Sequence, residues 1–463
     1  MKMIFEFESE ININIMKKIT LSFALIFFSF VFQVKGQNLA QTPPMGWNSY
    51  DCFGAAVLES EVKGNADVMA TLLLKHGWEY IVVDYCWSYP VNSALNNPPQ
   101  DENFLPNLAM DQYGRLLPAS VKFPSAADGK GFKPLADYVH SKGLKFGIHV
   151  MRGIPREAVA KKLPVKGTKY TADQIAGKES TCGWLNQMYG VDTNKPGAQE
   201  YYNSLMELYA SWDVDFIKVD DILSPFHEGE IKAVRKAVDR CGRPMVISLS
   251  HGATTPVEKS DVLSANSNMW RISADFWDRW EDLKHMFNLT AKWQGQIGTG
   301  HWPDADMIPF GRISRRGPDE YERESRFTDN EKTTLMTLWN ICRSPLMYGG
   351  DLMQLRSYDL KYLTNDEVLK VGRASVNNRQ LFRRGNHIAW VADVPGNGDK
   401  YLAVFNTGED AESPVLVSLP DLGFTGEVSI RDLWNGKELG SFQKEFIPLI
   451  APHGAGMYRI SSE

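Results

Sequence analysis

Several common signatures are missing from this chain. Its five cysteines, Cys52, Cys86, Cys182, Cys241 and Cys342, fit no metal-binding spacing. No glycine-rich turn follows the first apolar run, so the phosphate cradle of a nucleotide-binding sheet is lacking. There is no basic stripe, and a net charge of −6 with a pI near 5.9 gives no sign of a nucleic-acid partner. No internal repeat or low-complexity linker interrupts the chain. The apolar run at 21–32 is too short to hold a bilayer as a stable anchor. What remains is an ordinary globular balance, 43% hydrophobic and 23% charged over 463 residues, enough for a large core and more than one domain.

The N-terminus carries an export pattern. Met16-Lys17-Lys18 is a basic segment, the apolar run follows, and the small Gly36 precedes Gln37. A signal peptide over 16–36 is expected, with the acidic residues 1–15 as an upstream extension and Met16 as an alternative start. No cysteine near the cleavage point suggests a lipid anchor. The mature protein is expected to be periplasmic or secreted, without a membrane anchor. Export permits disulfides, and an odd cysteine count leaves at least one thiol free.

From 37 to 372, short apolar runs alternate with amphipathic stretches. Strands are predicted at 45–49, 80–84, 144–149, 216–219, 245–249, 269–272, 300–302 and 346–348. Helices are predicted between them, at 61–76, 134–142, 197–211, 230–239, 280–293 and 330–343. Eight strands in this alternation read as a (β/α)8 barrel. An open doubly wound sheet is the alternative, disfavoured by the missing glycine-rich turn. Beyond 372 the helical period disappears. Runs at 387–391, 401–405, 415–418, 427–430 and 456–460, with turns at 395–398 and 434–437, predict a C-terminal antiparallel β-sandwich over 373–463.

The chemistry concentrates at two strand ends. Asp215-Phe216-Ile217-Lys218-Val219-Asp220-Asp221 delivers a lysine and two acids where a buried strand stops. Met269-Trp270-Arg271-Ile272-Ser273-Ala274-Asp275 has the same shape. Two carboxylates on different strand ends, each beside a cation, are the minimum equipment for glycoside hydrolysis. Either segment alone reads equally well as a structural ion pair closing a strand. Thirteen Trp and 17 Tyr are compatible with sugar stacking, although most aromatics of this kind fill cores.

In order along the chain, Thr42-Pro43-Pro44-Met45-Gly46-Trp47-Asn48-Ser49-Tyr50, Asp84-Tyr85-Cys86-Trp87, Lys218-Val219-Asp220, Arg271 with Asp275, and Trp302-Pro303-Asp304-Ala305-Asp306-Met307 resemble the motifs of one family. That family is the retaining glycoside hydrolases of the α-galactosidase (melibiase) type, family 27. Asp432-Leu433-Trp434-Asn435-Gly436-Lys437 resembles the end of its sandwich. The resemblance implies Asp220 as nucleophile and Asp275 as general acid/base, with no cofactor and no metal. It implies substrate contacts from Tyr50, Asp84, Tyr85, His149, Lys218, Ser250, Arg271, Trp302 and Asp306, and an oligo- or polysaccharide as the partner. It also implies a disulfide between Cys52 and Cys86. Cys182 matches a family cysteine, but Ile222 holds its usual partner's position, so no second bridge is expected. Asp278 is expected as a first-turn helix acid.

The departures from the family pattern concern the sugar. Tyr85 replaces the second of two adjacent acids that grip hydroxyls at the C4 and C6 end of galactose. His149 replaces an aromatic. Ser250 and Ala253 stand where galactosidases carry a carboxylate for the C2 hydroxyl, a spacing similar to that of the N-acetylgalactosaminidase branch, though His251-Gly252 between them is not. α-D-Galactose is the family default. β-L-Arabinopyranose, α-N-acetylgalactosamine and an isomaltose-releasing activity compete with it, and simple aryl α-galactosides are expected to be poor substrates. A carbohydrate-binding barrel without catalysis is the reading from another class, weakened by the presence of both acids. A polar insertion at 156–179, with Lys161, Lys162, Lys166 and Lys169, is expected to rim the pocket.

Overall fold

A computed structural model describes residues 39–90, 100–105, 107–317, 319, 321–409 and 411–462. The leader read at 16–36 lies outside the described residues. No helix among the described residues is long and apolar enough to cross a membrane.

Eight parallel strands form one curled sheet. They are β1 (Met45–Asn48), β2 (Tyr80–Val83), β3 (Lys145–Met151), β4 (Phe216–Asp220), β5 (Val246–Leu249), β6 (Met269–Arg271), β7 (Trp302–Asp304) and β8 (Leu346–Tyr348). The ladder runs β7-β6-β5-β4-β3-β2-β1-β8, and a parallel bridge from Ile308 to Tyr348 carries the seam between its two ends. Helices connect the strands: α1 (Glu59–Val68), α2 (Lys133–Ser141), α3 (Ala198–Ser211), α4 (Glu228–Arg240), α5 (Ser260–Asn266), α6 (Trp280–Trp293), α7 (Asp329–Ile341) and, after β8, α8 (Asp366–Ala374). Local chemistry sets several ends. Thr328 and Glu331 cap α7 reciprocally, with Thr328 N donating to Glu331 Oε2 at 2.8 Å.

The barrel interior is layered by the two-residue strand period. Tyr80, Val82, Phe216, Val246, Met269, Trp302 and Met347 pack together as an apolar floor. One step further along the inward face stand Asp84, Lys218, Ser248, Arg271 and Asp304, all buried. Inward positions therefore change from apolar to charged toward the C-terminal strand ends, where active sites of such barrels sit.

The sandwich begins at β9 (Val376–Arg384) and continues through β10 (His387–Asp393), β11 (Lys400–Asn406), β12 (Val428–Asp432), β13 (Lys437–Phe442) and β14 (Ala455–Ser462). These form one antiparallel sheet in the order β9-β10-β11-β14-β12-β13. Two short ladders, Ser413–Pro414 with Leu449–Ile450 and Val417–Ser418 with Glu445–Phe446, make the second layer. The sequence pattern missed β9 and β13. β9 is largely polar and breaks register between Val376 and Arg379, so its alternation is not clean. The sheet's other face presses on the barrel. Phe405 meets Phe287 of α6 edge-on at 4.9 Å, and Trp434 Nε1 donates to Thr337 Oγ1 of α7 at 2.8 Å. His453 stacks on Trp280 at 3.7 Å, with Glu331 and Glu409 each 2.9 Å from its ring nitrogens.

Two expectations fail here. Cys52 and Cys86 are unbonded thiols, as are Cys182, Cys241 and Cys342. Cys52 lies among Arg315, Asp351 and Glu61, whereas Cys86 lies beside Lys122 and Asp84, so the two occupy different surroundings. The 156–179 segment does not line the central cavity. It folds as Arg156–Ala160, Ala172–Ile175 and a strand, Ala176–Thr181, paired with Met188–Val191. Lys161 pairs with Glu157 of the same segment, and Lys166 approaches Glu207 of α3.

Candidate active site

A cavity of about 450 Å³ opens at the C-terminal ends of the strands, a size that suits a sugar ring. Asp220 and Asp275 both line it, together with Tyr50, Asp84, Tyr85 and Lys218. Six of the residues singled out from sequence are thus brought together.

Asp220, at the end of β4, is held from several sides. Its Oδ1 accepts from Asp221 N at 2.7 Å, and its Oδ2 lies 3.0 Å from His149 Nε2. Burial alone would raise its pKa, but the His149 bond and charge, the Lys218 ammonium and the Asp221 amide together hold the carboxyl well below the usual carboxylate range. Lys218 Nζ donates to Asp84 Oδ2 at 2.8 Å, and Asn48 Nδ2 donates to the same oxygen at 2.8 Å. Asp84 Oδ1 accepts from Tyr85 N at 2.9 Å. Although buried, Asp84 is kept below its ordinary value chiefly by Lys218. Lys218, for its part, is kept protonated against burial by Asp84 and Asp220.

Asp275 follows β6 and is anchored from behind by Arg271. Arg271 Nη2 stands 3.3 Å from Asp275 Oδ1 and 2.6 Å from Asp306 Oδ2. Asp306 Oδ2 also accepts from Phe276 N at 2.7 Å, tying the segment that carries Asp275 to the end of β7. Burial raises Asp306, and Asp275 and Asp304 add to the rise against the pull of Arg271. The arrangement can supply one fixed anion and, across the cavity, one carboxyl open to solvent.

Five expected substrate contacts lie outside the cavity lining. Trp302 has the correct inward parity but belongs to the apolar floor, two layers below Asp306, where its Nε1 donates to Ala40 O and Arg343 covers its ring. Asp306 is engaged by Arg271 and the Phe276 amide rather than facing the opening. Arg271 is buried beneath Asp275. His149 lies behind Tyr85, with ring centroids 5.9 Å apart. Ser250 is buried behind the wall, because the chain after β5 turns so that His251 and Ala253 face the cavity. Gly252 makes that turn feasible: a Cβ there would sit 2.1 Å from Arg271 O. Asp278 is not a helix-turn acid, since α6 begins at Trp280. It is buried and accepts from Arg323 Nη2 at 2.6 Å and Arg326 N at 2.8 Å, pinning the loop after β7.

The structure adds Trp184, His251, Ala274, Trp277 and Asp319 to the lining. Trp184 and Trp277 flank Tyr85 and Tyr50 at 6.4 and 6.3 Å, making an aromatic wall. These residues sit on loops after strand ends. The signal that could have found Trp277 is its position two residues past Asp275.

A parallel barrel with two acids facing across its C-terminal mouth and a β-sandwich behind it defines a glycosidase architecture. The family profile described as alpha galactosidase A matches residues 156–374, and that of the alpha galactosidase C-terminal beta sandwich domain matches 384–460. The solved β-L-arabinopyranosidase of Geobacillus stearothermophilus is 50% identical, covering 91% of this chain and 97% of its own, with a TM-score of 0.88. Alpha-galactosidase A of Cellvibrio japonicus is 26% identical over 92% of this chain and 94% of its own length. The alpha-N-acetylgalactosaminidase of Gallus gallus is 25% identical over 91% and 94%. The chain belongs to glycoside hydrolase family 27, the α-galactosidase-like glycosidases.

Proposed function

We propose that this protein is an exported, retaining exo-glycosidase that removes a terminal α-galactoside-like residue and prefers β-L-arabinopyranose to α-D-galactose. Asp220 attacks the anomeric carbon while Asp275 protonates the departing glycosidic oxygen. Asp275 then takes a proton from water as the water displaces Asp220, so the anomeric configuration is retained. The ionised, doubly hydrogen-bonded Asp220 and the solvent-open Asp275 support these roles. Lys218 and Asp84 offer a donor and an acceptor to ring hydroxyls beside the nucleophile. Export is supported by the basic-then-apolar segment at 16–36; N-terminal sequencing of the protein recovered outside the cytoplasm tests it.

The observation that carries the sugar preference is Tyr85. It stands beside Asp84 in the cavity wall, packed edge-on to Tyr50 at 5.4 Å. β-L-Arabinopyranose has the ring stereochemistry of α-D-galactose without the C6 arm. A phenol ring here gives that arm no carboxylate partner and takes up its space, which penalises galactose and spares arabinopyranose. The half-identical Geobacillus enzyme, named for arabinopyranoside cleavage, supports the same reading. The N-acetylgalactosaminidase alternative is less supported, since Ser250 faces away from the cavity and His251 lines it. kcat/KM on nitrophenyl β-L-arabinopyranoside, α-D-galactoside and α-N-acetylgalactosaminide tests the proposal. We expect the first to lead by about tenfold or more, and Tyr85→Asp to narrow that lead. Galactoside leading in the unmodified enzyme would overturn it.

A further inference from the structure

Within the reading of Asp220 as nucleophile, we infer that His149 is the positioning residue that holds Asp220 and, through the proton on its imidazole, sets how readily that carboxylate attacks and later departs. His149 is 2% exposed and does not line the cavity, so it acts on the sugar only through Asp220. It sits on β3 directly opposite Lys218 in the β3–β4 register. Its Nε2 lies 3.0 Å from Asp220 Oδ2, and because an ionised carboxylate only accepts, that nitrogen carries the hydrogen. With Asp221 N on Oδ1, each oxygen of Asp220 is fixed by one donor and keeps a second lone pair for bonding to carbon. Two neighbours hold His149 in place: Trp87 Nε1 donates to its backbone carbonyl at 2.6 Å, and the Tyr85 ring packs edge-on against the imidazole.

The charges around the imidazole are Asp220, Asp84 and, across the register, Lys218; Tyr85 is the other titratable neighbour. Asp84 is already engaged by Lys218, Asn48 and the Tyr85 amide, and the imidazole makes its bond to Asp220. In the first half-reaction the bond from anomeric carbon to leaving oxygen breaks, Asp275 gives that oxygen its proton, and the Asp220 ester forms. Asp220 loses its charge in that step. A protonated imidazole loses its counter-charge there and opposes the step, whereas a neutral Nε2–H does not. In the second half-reaction water attacks, Asp275 takes its proton, the ester bond breaks and the charge returns to Asp220. A protonated imidazole favours that step. A proton on this one imidazole therefore acts on the two half-reactions in opposite senses.

The test uses a dinitrophenyl glycoside of the sugar that the substrate screen selects, whose leaving group needs no proton from Asp275. His149→Gln keeps an N–H donor without a titrating ring, and His149→Phe removes the donor. We expect H149Q to stay within about tenfold of the parent kcat/KM at its optimum while losing one inflection of the pH profile, and H149F to fall by about a hundredfold or more. An unchanged pH profile in H149Q, or equal activity in the two variants, overturns the inference. Trapping with the 2-deoxy-2-fluoro glycosyl fluoride of the same sugar, followed by peptide mapping, separates the two levels. A label on Asp220 with unaltered pH profiles removes only the role of His149. A label elsewhere removes the nucleophile assignment itself.

Discussion

The two walls of the cavity hold their carboxylates in opposite ways. On the β4 side, the Asp220 side chain is 13% exposed and is met by a histidine, a lysine and a backbone amide. On the β6 side, the Asp275 side chain is 49% exposed and is held by a longer bond of 3.3 Å from Arg271. The first environment favours one charge state and one orientation. The second leaves a carboxyl able to exchange protons with water and with a leaving group. Identical side chains acquire different chemistry because one is enclosed by donors and the other is tethered from behind.

Breaking the donor-enclosed wall has the largest expected effect. Asp220→Ala should lower turnover by at least about 10⁴-fold on every substrate, whatever the leaving group. Added azide should restore part of the rate, giving a glycosyl azide of inverted configuration detectable by proton NMR. Activity that survives the substitution, or a first-formed hydrolysis product of inverted configuration in the parent, would refute the double displacement.

The open wall should respond more selectively. Asp275→Asn should cost about 10²- to 10⁴-fold on alkyl glycosides and much less on a dinitrophenyl glycoside in the first half-reaction. Equal losses on both leaving groups would remove the acid role. Arg271→Met sharpens the contrast from beneath, since it strips the guanidinium paired with both Asp306 and Asp275 while Asp220 keeps its partners. A destabilisation of about 3–5 kcal/mol, read by denaturant unfolding, is expected from leaving buried Asp306 unpaired. Loss of less than about 1 kcal/mol would mean that the Phe276 amide alone suffices.

The smallest effect is on stability against pH. Asp220 has a folded-state pKa depressed below its unfolded value of roughly 3.9. The stability it contributes is fully present above that unfolded value and is lost as pH falls through the lower folded one. Asp220→Asn should therefore flatten the acid limb of the unfolding curve below about pH 4. An unchanged limb would show that the His149 and Lys218 contacts do not stabilise the ionised form.

Much of this arrangement was readable in the chain. The two-residue period puts Phe216, Lys218 and Asp220 on one face of a strand, the face that turns to the barrel interior and its cavity. Parity does not give depth, however. Trp302, Asp304 and Asp306 share a face as well, yet Trp302 lies in the apolar floor and Asp306 is consumed by Arg271. Loop residues were harder still. Trp184, His251 and Asp319 reach the cavity along irregular backbone, for which no period predicts direction. The Cys52–Cys86 bridge was inferred by resemblance and is not formed, with each thiol in its own polar setting. The Asp278 reading took proximity to a helix for membership of its first turn, whereas Arg323 draws it into the core.

The stacked Trp280–His453 pair has a consequence for anyone exchanging parts between relatives. Trp280 opens the helix that follows Asp275, and Glu331 lies in the first turn of the helix that leads into β8. His453 grips both from the sandwich side, while Phe405 and Trp434 seat against the same two helices. A chimera cut near residue 375 would replace one half of this seam with side chains shaped for a different partner. The C-terminal module is therefore part of the scaffold behind the wall that carries Asp275, and recombination breakpoints that respect the seam should carry Trp280, Phe287 and Glu331 together with the sandwich they meet.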